Sequence, residues 1–117
     1  MPRVKGGPQT HRRHKRVLAM AKGYRGGRSR LYRTAQETVD RALCFAYRDR
    51  KARKRDFRRL WIARVNAGSR ALGVPYSRLV AGLDKAEVRI NRKMLSEMAI
   101  YHPADFEKVV ALAKEQG

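Results

Sequence analysis

Residues Leu31–Leu72 read LYRTAQETVDRALCFAYRDRKARKRDFRRLWIARVNAGSRAL, a stretch without proline and with one glycine, Gly68. A stretch this long without a helix-breaking residue predicts one continuous α-helix. At 1.5 Å per residue the helix would be roughly 60 Å long, whereas a compact chain of this length is about 35 Å across. We therefore expect the helix to protrude from a small domain.

The middle of this predicted helix is cationic on every side. From Arg48 to Arg59, eight of twelve residues are Arg or Lys, and helical spacing distributes them around the whole cylinder. A solvated helix face normally mixes charge signs and leaves an apolar stripe opposite, and this run does neither. A rod that is basic all round is typical of a protein surrounded by polyanion, which favours nucleic acid as the partner.

The charge of the chain is concentrated in its first half. The 117 residues carry 29 Lys or Arg against 10 Asp or Glu. Residues 1–59 hold twenty of these cations and four acids, whereas residues 60–117 hold nine cations and six acids. We therefore expect a basic RNA-penetrating extension over residues 1–58 and a small globular helical domain over residues 59–117.

The segments before the long helix form the rest of the extension. Met1–Gln9 contains several glycines and prolines and no core residue, which predicts an extended or disordered arm. Thr10 is expected to cap a short helix over His11–Lys22. The next segment, Gly23–Arg30, alternates glycine with arginine around Tyr24. It is either a flexible linker or a bend whose aromatic and arginine side chains stack on unpaired bases.

Apolar residues predict where the core lies. The start of the long helix has only a thin apolar stripe, formed by Leu31, Ala35, Val39, Ala42, Leu43 and Ala46. We expect no other segment of the first half to pack on this stripe, and RNA or a neighbouring protein to cover part of it. Its last turns repeat apolar residues at three- and four-residue steps that predict a core, namely Phe57, Leu60, Trp61, Val65, Gly68 and Leu72. Three short helices, over residues 76–86, 92–101 and 104–115, complete a small bundle. The predicted fold is all-α: a long protruding basic helix with an N-terminal helical and extended arm, and a small C-terminal bundle.

Two helix starts in the second half differ in charge. The helix over residues 104–115 begins with Asp105, the sign that complements the positive end of a helix dipole. The helix that Asn91 is expected to cap begins with Arg92 and Lys93 instead. A bound phosphate would offset this unfavourable charge, so the second start is a candidate phosphate site. The alternative, to which we give equal weight, is that this helix start binds no ligand.

The sequence offers no arrangement suited to catalysis or metal binding. His11, His14, His102 and Cys44 are its only imidazole and thiol side chains, and only the first two are close in sequence. The ten acids are scattered, so we expect no enzyme, cofactor or metal. We interpret His11 and His14 as exposed or phosphate-contacting residues and Cys44 as a small apolar helix residue. A single cysteine and no apolar signal segment indicate the cytosol.

Six segments spread over nearly the whole chain carry a family resemblance. They are Pro2-Arg3-Val4-Lys5, Lys22–Gly26, Arg28–Ala35, Ala46–Arg50, Arg53–Ile62 and Tyr76-Ser77-Arg78. These segments resemble the L-twenty proteins of the bacterial large ribosomal subunit, and Lys54–Ile62 is the most specific part of the match. Gly27, where the family commonly has alanine, and Val74-Pro75 depart from the pattern. The resemblance implies an all-helical protein that threads its extension among ribosomal RNA helices, acts early in subunit assembly and, in some members, represses its own messenger.

We therefore expect a structural constituent of the large subunit, on the cytoplasmic ribosome, that clamps RNA helices through contacts to phosphate. The expected partners are large-subunit ribosomal RNA, neighbouring ribosomal proteins and, as in some members, its own messenger RNA. No membrane partner and no homo-oligomer are expected. The candidate RNA-binding residues are Arg3, Lys5, His11, Arg12, Arg13, His14, Lys15, Arg16, Lys22, Tyr24, Arg25, Arg28, Arg30, Tyr32, Arg33, Arg48, Arg50, Lys51, Arg53, Lys54, Arg55, Arg58, Arg59, Arg70, Arg78, Asn91, Arg92 and Lys93.

Other classes of protein fit the sequence less well. The alternative is a DNA-architectural or other non-ribosomal RNA-binding protein. A DNA-architectural protein needs a dimer face or a minor-groove wedge, and the rod has no symmetric apolar seam. A membrane-active cationic helix needs Leu, Phe or Trp opposite its basic residues, and residues 48–56 contain none of these.

Overall fold

The computed structural model describes residues 1–3 and 5–116, and every regular element in this part of the chain is an α-helix. The helices are α1 (Gln9–Met20), α2 (Gly27–Arg30), α3 (Tyr32–Ala71), α4 (Tyr76–Lys85), α5 (Arg92–Tyr101) and α6 (Pro103–Glu115). This confirms the predicted all-helical fold class. Val4, which belongs to the first of the six family segments, and Gly117, the last residue of the expected domain, lie outside the described residues.

The long helix predicted from the central stretch is α3, with 40 residues. It ends before Gly73, whose φ of +80° is a backbone conformation that side chains with a Cβ rarely adopt. The Gly73 amide donates to the Arg70 carbonyl and the Val74 amide donates to the Ser69 carbonyl, both at 2.9 Å. This pair of hydrogen bonds is a Schellman motif, so Gly73 stops the helix and turns the chain towards α4.

The chain divides into two compact units, residues 1–51 and residues 52–117. The boundary expected near residue 58 from charge alone stays a prediction. In the second unit the end of α3 packs with α4, α5 and α6 around eight buried side chains, Val65, Val74, Leu79, Leu83, Leu95, Phe106, Val110 and Ala113. Gly82 lies directly against the carbonyl of Ala113, so α4 and α6 approach each other closely. The predicted bounds of these three short helices agree with the structure to within one residue.

The core of the second unit starts later along α3 than predicted. Its first buried residue is Val65, while Phe57 and Leu60 are 48% and 41% exposed. Trp61 is half-buried and tilts against Phe57, with ring centroids 6.1 Å apart. The prediction that Phe57, Leu60 and Trp61 belong to the core is therefore wrong. Helical periodicity identifies the apolar face, but it does not show how far along that face the partner helices extend.

The first unit has a small core that we did not predict. Ala21, Ala35 and Val39 are buried, and Val17, Leu18 and Tyr24 pack against them. The expectation that no segment of the first half covers the stripe at the start of α3 is therefore wrong, because α1 and Tyr24 cover Ala35 and Val39. Helix α1 contributes Val17 and Leu18 to this core, and these two residues lie among many cations, so the apolar signal in the sequence is weak. Leu31 and Leu43 remain exposed.

The start of α1 also differs from the prediction. The helix begins at Gln9, after Pro8, and no side chain caps it. The Arg12 amide donates to the Pro8 carbonyl at 3.0 Å, which places Thr10 inside the first turn. The predicted Thr10 cap is thus wrong, because a proline fits the position just before a helix and permits an earlier start. The glycine and arginine segment that follows contains the short helix α2.

Candidate nucleic-acid interface

The basic run of α3 is exposed around its whole circumference. All eight cations from Arg48 to Arg59 are exposed. Two of them have an acidic neighbour: Arg48 Nε is 2.9 Å from Asp49 Oδ1, and Arg59 Nη1 is 3.8 Å from Asp56 Oδ1. Within the part of the chain that the structure describes, no carboxylate pairs with the other six, which are Arg50, Lys51, Arg53, Lys54, Arg55 and Arg58. The run therefore presents uncompensated positive charge in every direction.

Aromatic residues of the first unit hold two of these cations in place. The guanidinium carbon of Arg48 lies 4.5 Å from the centre of the Phe45 ring. Lys51 Nζ lies 4.5 Å from the centre of the Tyr47 ring and donates a 2.7 Å hydrogen bond to the Tyr47 hydroxyl. Phe45 and Tyr47 were not among the candidate residues. Their spacing of three and four residues from a cation is the sequence signal that identifies them.

Candidate residues of α1 lie next to the start of α3. The first turn of α1 contains no acid, and its Arg and Lys side chains are exposed. His14 is half-buried and stacks on Tyr32, with ring centroids 3.6 Å apart and an interplanar angle of 15°. Tyr24 packs on the small core of this unit. Tyr24, His14 and Tyr32 therefore all contribute to local packing.

The start of α5 has the cap that was predicted. The Asn91 side chain accepts a 2.8 Å hydrogen bond from the Met94 amide, which satisfies one of the free amides of the first turn. Arg92 is half-buried, and its Nε donates to the Tyr76 hydroxyl at 2.8 Å. Lys93 is exposed. Arg92 therefore has a structural partner within the bundle, whereas Lys93 is open to solvent.

The start of α6 shows the ordinary arrangement for comparison. Asp105 lies in its first turn and accepts a 2.9 Å hydrogen bond from Lys108 Nζ. This hydrogen bond, together with the charge of Lys108, lowers the pKa of the exposed Asp105 carboxyl. The acidic charge that complements the helix dipole is thus present at α6 and absent from the first turn of α5.

The remaining candidates are exposed, and they are spread over both units. Within the second unit, Arg78 is exposed and Arg70 Nε donates to the Asn66 side chain at 3.2 Å. The candidates of the first unit not yet described are also exposed, and they are Arg3, Lys5, Lys22, Arg25, Arg28, Arg30 and Arg33. Arg28 lines an open groove with Glu37 and Asp40 of α3. This groove mixes both charge signs and is less suited to a polyanion than the basic run of α3.

Similarity to known proteins identifies the family. A sequence profile of the family described as ribosomal protein L20 matches residues 3–109. The chain belongs to the ribosomal protein L20 family. It is 58% identical to the "Large ribosomal subunit protein bL20" of Lawsonia intracellularis, over 97% of both chains. Proteins with the same name from Nitratidesulfovibrio vulgaris strain DP4 and from Synechococcus sp. strain CC9605 are each 57% identical, over 97% of this chain and 97% and 99% of their own lengths.

Membership of the L20 family confirms the resemblance seen in the six sequence segments. Ribosomal protein L20 is a structural component of the ribosome and not an enzyme, which agrees with the expected non-catalytic, ribosomal class. The match includes every candidate RNA-binding residue from Arg3 to Lys93. None of the helices in the described residues combines the length and the apolar character that crossing a membrane requires. Residues 1–3 and 5–116 contain no cluster of three or more His, Cys, Asp or Glu side chains that would hold a metal ion.

Proposed function

We propose that this member of the L20 family binds large-subunit ribosomal RNA and clamps neighbouring RNA helices around α3. The observation that carries the proposal is the exposed run from Arg48 to Arg59, in which six cations have no acidic partner among the described residues. A flat basic patch contacts one RNA surface. A helix that is basic on all sides neutralises phosphates on several RNA helices at once and so holds them together.

The cations of α1 and a few cations of the second unit add contacts at other points on the RNA. The exposed Arg and Lys side chains of α1 face solvent at a helix start that lacks acidic residues, an arrangement that suits phosphate. In the second unit we propose contacts through Lys93, Arg70 and Arg78. Arg92 contributes through the guanidinium nitrogens that its bond to Tyr76 leaves available.

We also propose that the chain acts early in subunit assembly. A rod whose contacts point in all directions cannot enter RNA that has already packed around that space. It has to bind before the surrounding helices close, and its charge then reduces the repulsion between their phosphates. Contacts with neighbouring ribosomal proteins, and repression of its own messenger as in some family members, are further proposals. We also propose that the chain is divided into an extension, residues 1–58, and a domain, residues 59–117.

The salt dependence of RNA binding tests the central proposal. Affinity for large-subunit RNA should fall with salt by roughly 0.7–0.9 log units per tenfold increase for each phosphate neutralised. Replacing Arg53, Lys54 and Arg55 together with alanine should flatten this slope by about two to three units, because three phosphate contacts are lost.

A matched triple variant controls for the change in net charge. Lys85, Arg89 and Lys108 are exposed cations outside the proposed interface, and their replacement with alanine should leave the slope nearly unchanged. Equal flattening in the two triple variants would show that net charge, and not the basic run of α3, determines binding. Equal affinity for large-subunit RNA and bulk competitor RNA would argue against a specific ribosomal role.

A further inference from the structure

Four aromatic residues lie along the middle of α3, and they differ in what covers their rings. Phe45 and Tyr47 each have a cation over the ring at 4.5 Å. In the described part of the chain, no cation lies over Phe57 or Trp61. The first two rings therefore each have a cationic partner, whereas Phe57 and Trp61 have none among the described residues.

Phe57 and Trp61 form an open aromatic pair. Their ring centroids are 6.1 Å apart and their planes are inclined by 36°, so the rings touch without stacking face to face. Phe57 is 48% exposed, Trp61 is half-buried, and neither belongs to the core of the bundle. Two large rings thus remain partly in water on the outside of a helix, which the packing of this unit does not explain.

The charges around this pair indicate what would cover it. Helical spacing places Arg53 and Lys54 one turn before Phe57, and Arg64 nearly one turn after Trp61. These three cations are exposed, and none has a carboxylate partner among the described residues. An apolar partner surface would leave these cations uncompensated. A single strand of RNA supplies both complements, because its phosphates pair with the cations and its bases have flat faces that stack on aromatic rings.

We propose that Phe57 and Trp61 form a stacking site for an unpaired nucleobase, with Arg53, Lys54 and Arg64 holding the phosphates on either side of it. The inference rests on the proposed RNA binding and deepens it. Contacts to phosphate alone do not distinguish a duplex from a loop, whereas a stacking site requires a base that has left its helix. The site therefore selects a bulge, a loop or a junction in the RNA.

The fluorescence of Trp61 provides a direct test, because it is the only tryptophan in the chain. The full-length protein is titrated with a short single-stranded RNA, with a duplex of the same sequence, and with inorganic polyphosphate. The single strand should quench the emission in a saturable way as its base stacks on the indole. Polyphosphate should bind with little quenching because it has no bases, and the duplex should quench less than the single strand.

Alanine variants separate stacking from charge. Trp61→Ala and Phe57→Ala should each weaken binding of the single strand by about tenfold, within the range for one stacked base, and leave polyphosphate binding unchanged. Tyr101→Ala is the matched control and should have little effect on the single strand, because this 72% exposed ring lies in the same unit but outside the proposed interface. Circular dichroism checks that each variant keeps its helical content. If a variant loses helical content, the quenching of Trp61 in the unaltered protein still tests the stacking site.

The outcomes distinguish this inference from the proposed function. Tight binding of RNA without quenching of Trp61 would overturn the stacking site and leave the RNA-binding role intact. Equal quenching by polyphosphate and by the single strand would also overturn the stacking site, since charge alone would then explain the signal. Failure of the unaltered protein to bind any RNA would overturn both proposals.

Discussion

The two units of this chain have cores of very different sizes. Among the described residues of the first unit, the buried apolar side chains are Ala21, Ala35 and Val39, whereas the core of the second unit contains eight, including Leu79 and Phe106. Two of the three buried residues in the first unit are alanines, so they remove little apolar surface from water. The first unit also carries fifteen Lys or Arg against three Asp or Glu.

The difference in core size indicates that stability and RNA affinity depend on different parts of the chain. Burial of side chains such as Leu79 stabilises the bundle, and a domain of this size is expected to be stable by about 3–5 kcal/mol. The first unit combines little burial with strong charge repulsion, and the proposed contacts with RNA would supply the compensating charge. Residues that stabilise the fold and residues that bind RNA are therefore expected to be largely separate sets. Substitutions in each set test this separation.

The largest effect is expected from the core of the second unit. Leu79 is fully buried, and Leu79→Ala should lower the free energy of unfolding by about 2–5 kcal/mol through lost burial and the cavity left behind. This is most of the stability expected for the bundle. Val39→Ala, the matched truncation in the small core of the first unit, should cost about 1 kcal/mol or less. Urea unfolding followed by circular dichroism measures both, and equal costs would contradict the difference between the two cores.

The next effect tests the close approach of two helices. A Cβ at Gly82 would overlap the backbone carbonyl of Ala113, which cannot rotate away. Gly82→Ala should therefore force α4 and α6 apart and lower the free energy of unfolding by about 1–3 kcal/mol, even though alanine favours helix formation.

Gly68→Ala is the control for that substitution. A Cβ at Gly68 would lie 3.0 Å from Phe106 Cε1, so the buried Phe106 ring has to move by only a few tenths of an ångström, whereas the contact at Gly82 is with backbone. Its cost should be offset by the gain in helix propensity of about 1 kcal/mol, which leaves stability nearly unchanged. If both variants melt at the same temperature in a thermal scan, the close packing of α4 on α6 is not what makes Gly82 necessary.

Most of the fold could be predicted from the sequence, for reasons that are local. The absence of proline predicts α3, Gly73 ends it, and the three short helices follow from apolar spacing. The small core around Ala35 could not be predicted in the same way. It depends on α1 lying against α3, and the few small residues that make this contact give only a weak periodic signal among so many cations.

A smaller effect is expected at the start of α5. The Asn91 side chain satisfies the Met94 amide, and Asn91→Ala should lower the free energy of unfolding by about 1 kcal/mol because that amide loses its partner. Asn66→Ala makes the same substitution inside α3, where the side chain only accepts a bond from the exposed Arg70. It should change stability little, since alanine is a better helix former. A matching loss in both variants would show that the cap does not stabilise α5.

The sequence identifies the cations of the candidate site, but it does not predict the environments of the aromatic residues. Runs of Arg and Lys identify where a polyanion binds, whatever the details of side-chain packing. The roles of aromatic residues depend on their neighbours: Tyr24 packs on the small core, Tyr32 stacks on His14, and Phe57 and Trp61 remain open. Sequence spacing alone does not distinguish these environments, because each residue lies in or near a helix with an apolar face.

The smallest change in stability is expected at the largest aromatic side chain. Loss of a fully buried tryptophan costs about 3–5 kcal/mol, and the apolar spacing of α3 predicts such a position for Trp61. In the structure Trp61 is half-buried and contacts Phe57 outside the core, so Trp61→Ala should lower the free energy of unfolding by less than about 1 kcal/mol.

Val65→Ala, one turn further along at a fully buried position, should cost about 2 kcal/mol although it removes far fewer atoms. Urea unfolding of the two variants shows which substitution costs more free energy of unfolding. The unfolding is followed by circular dichroism because one variant lacks the only tryptophan. A larger loss for Trp61→Ala would place the start of the core at Trp61, and the aromatic pair would then have a structural role that competes with base stacking.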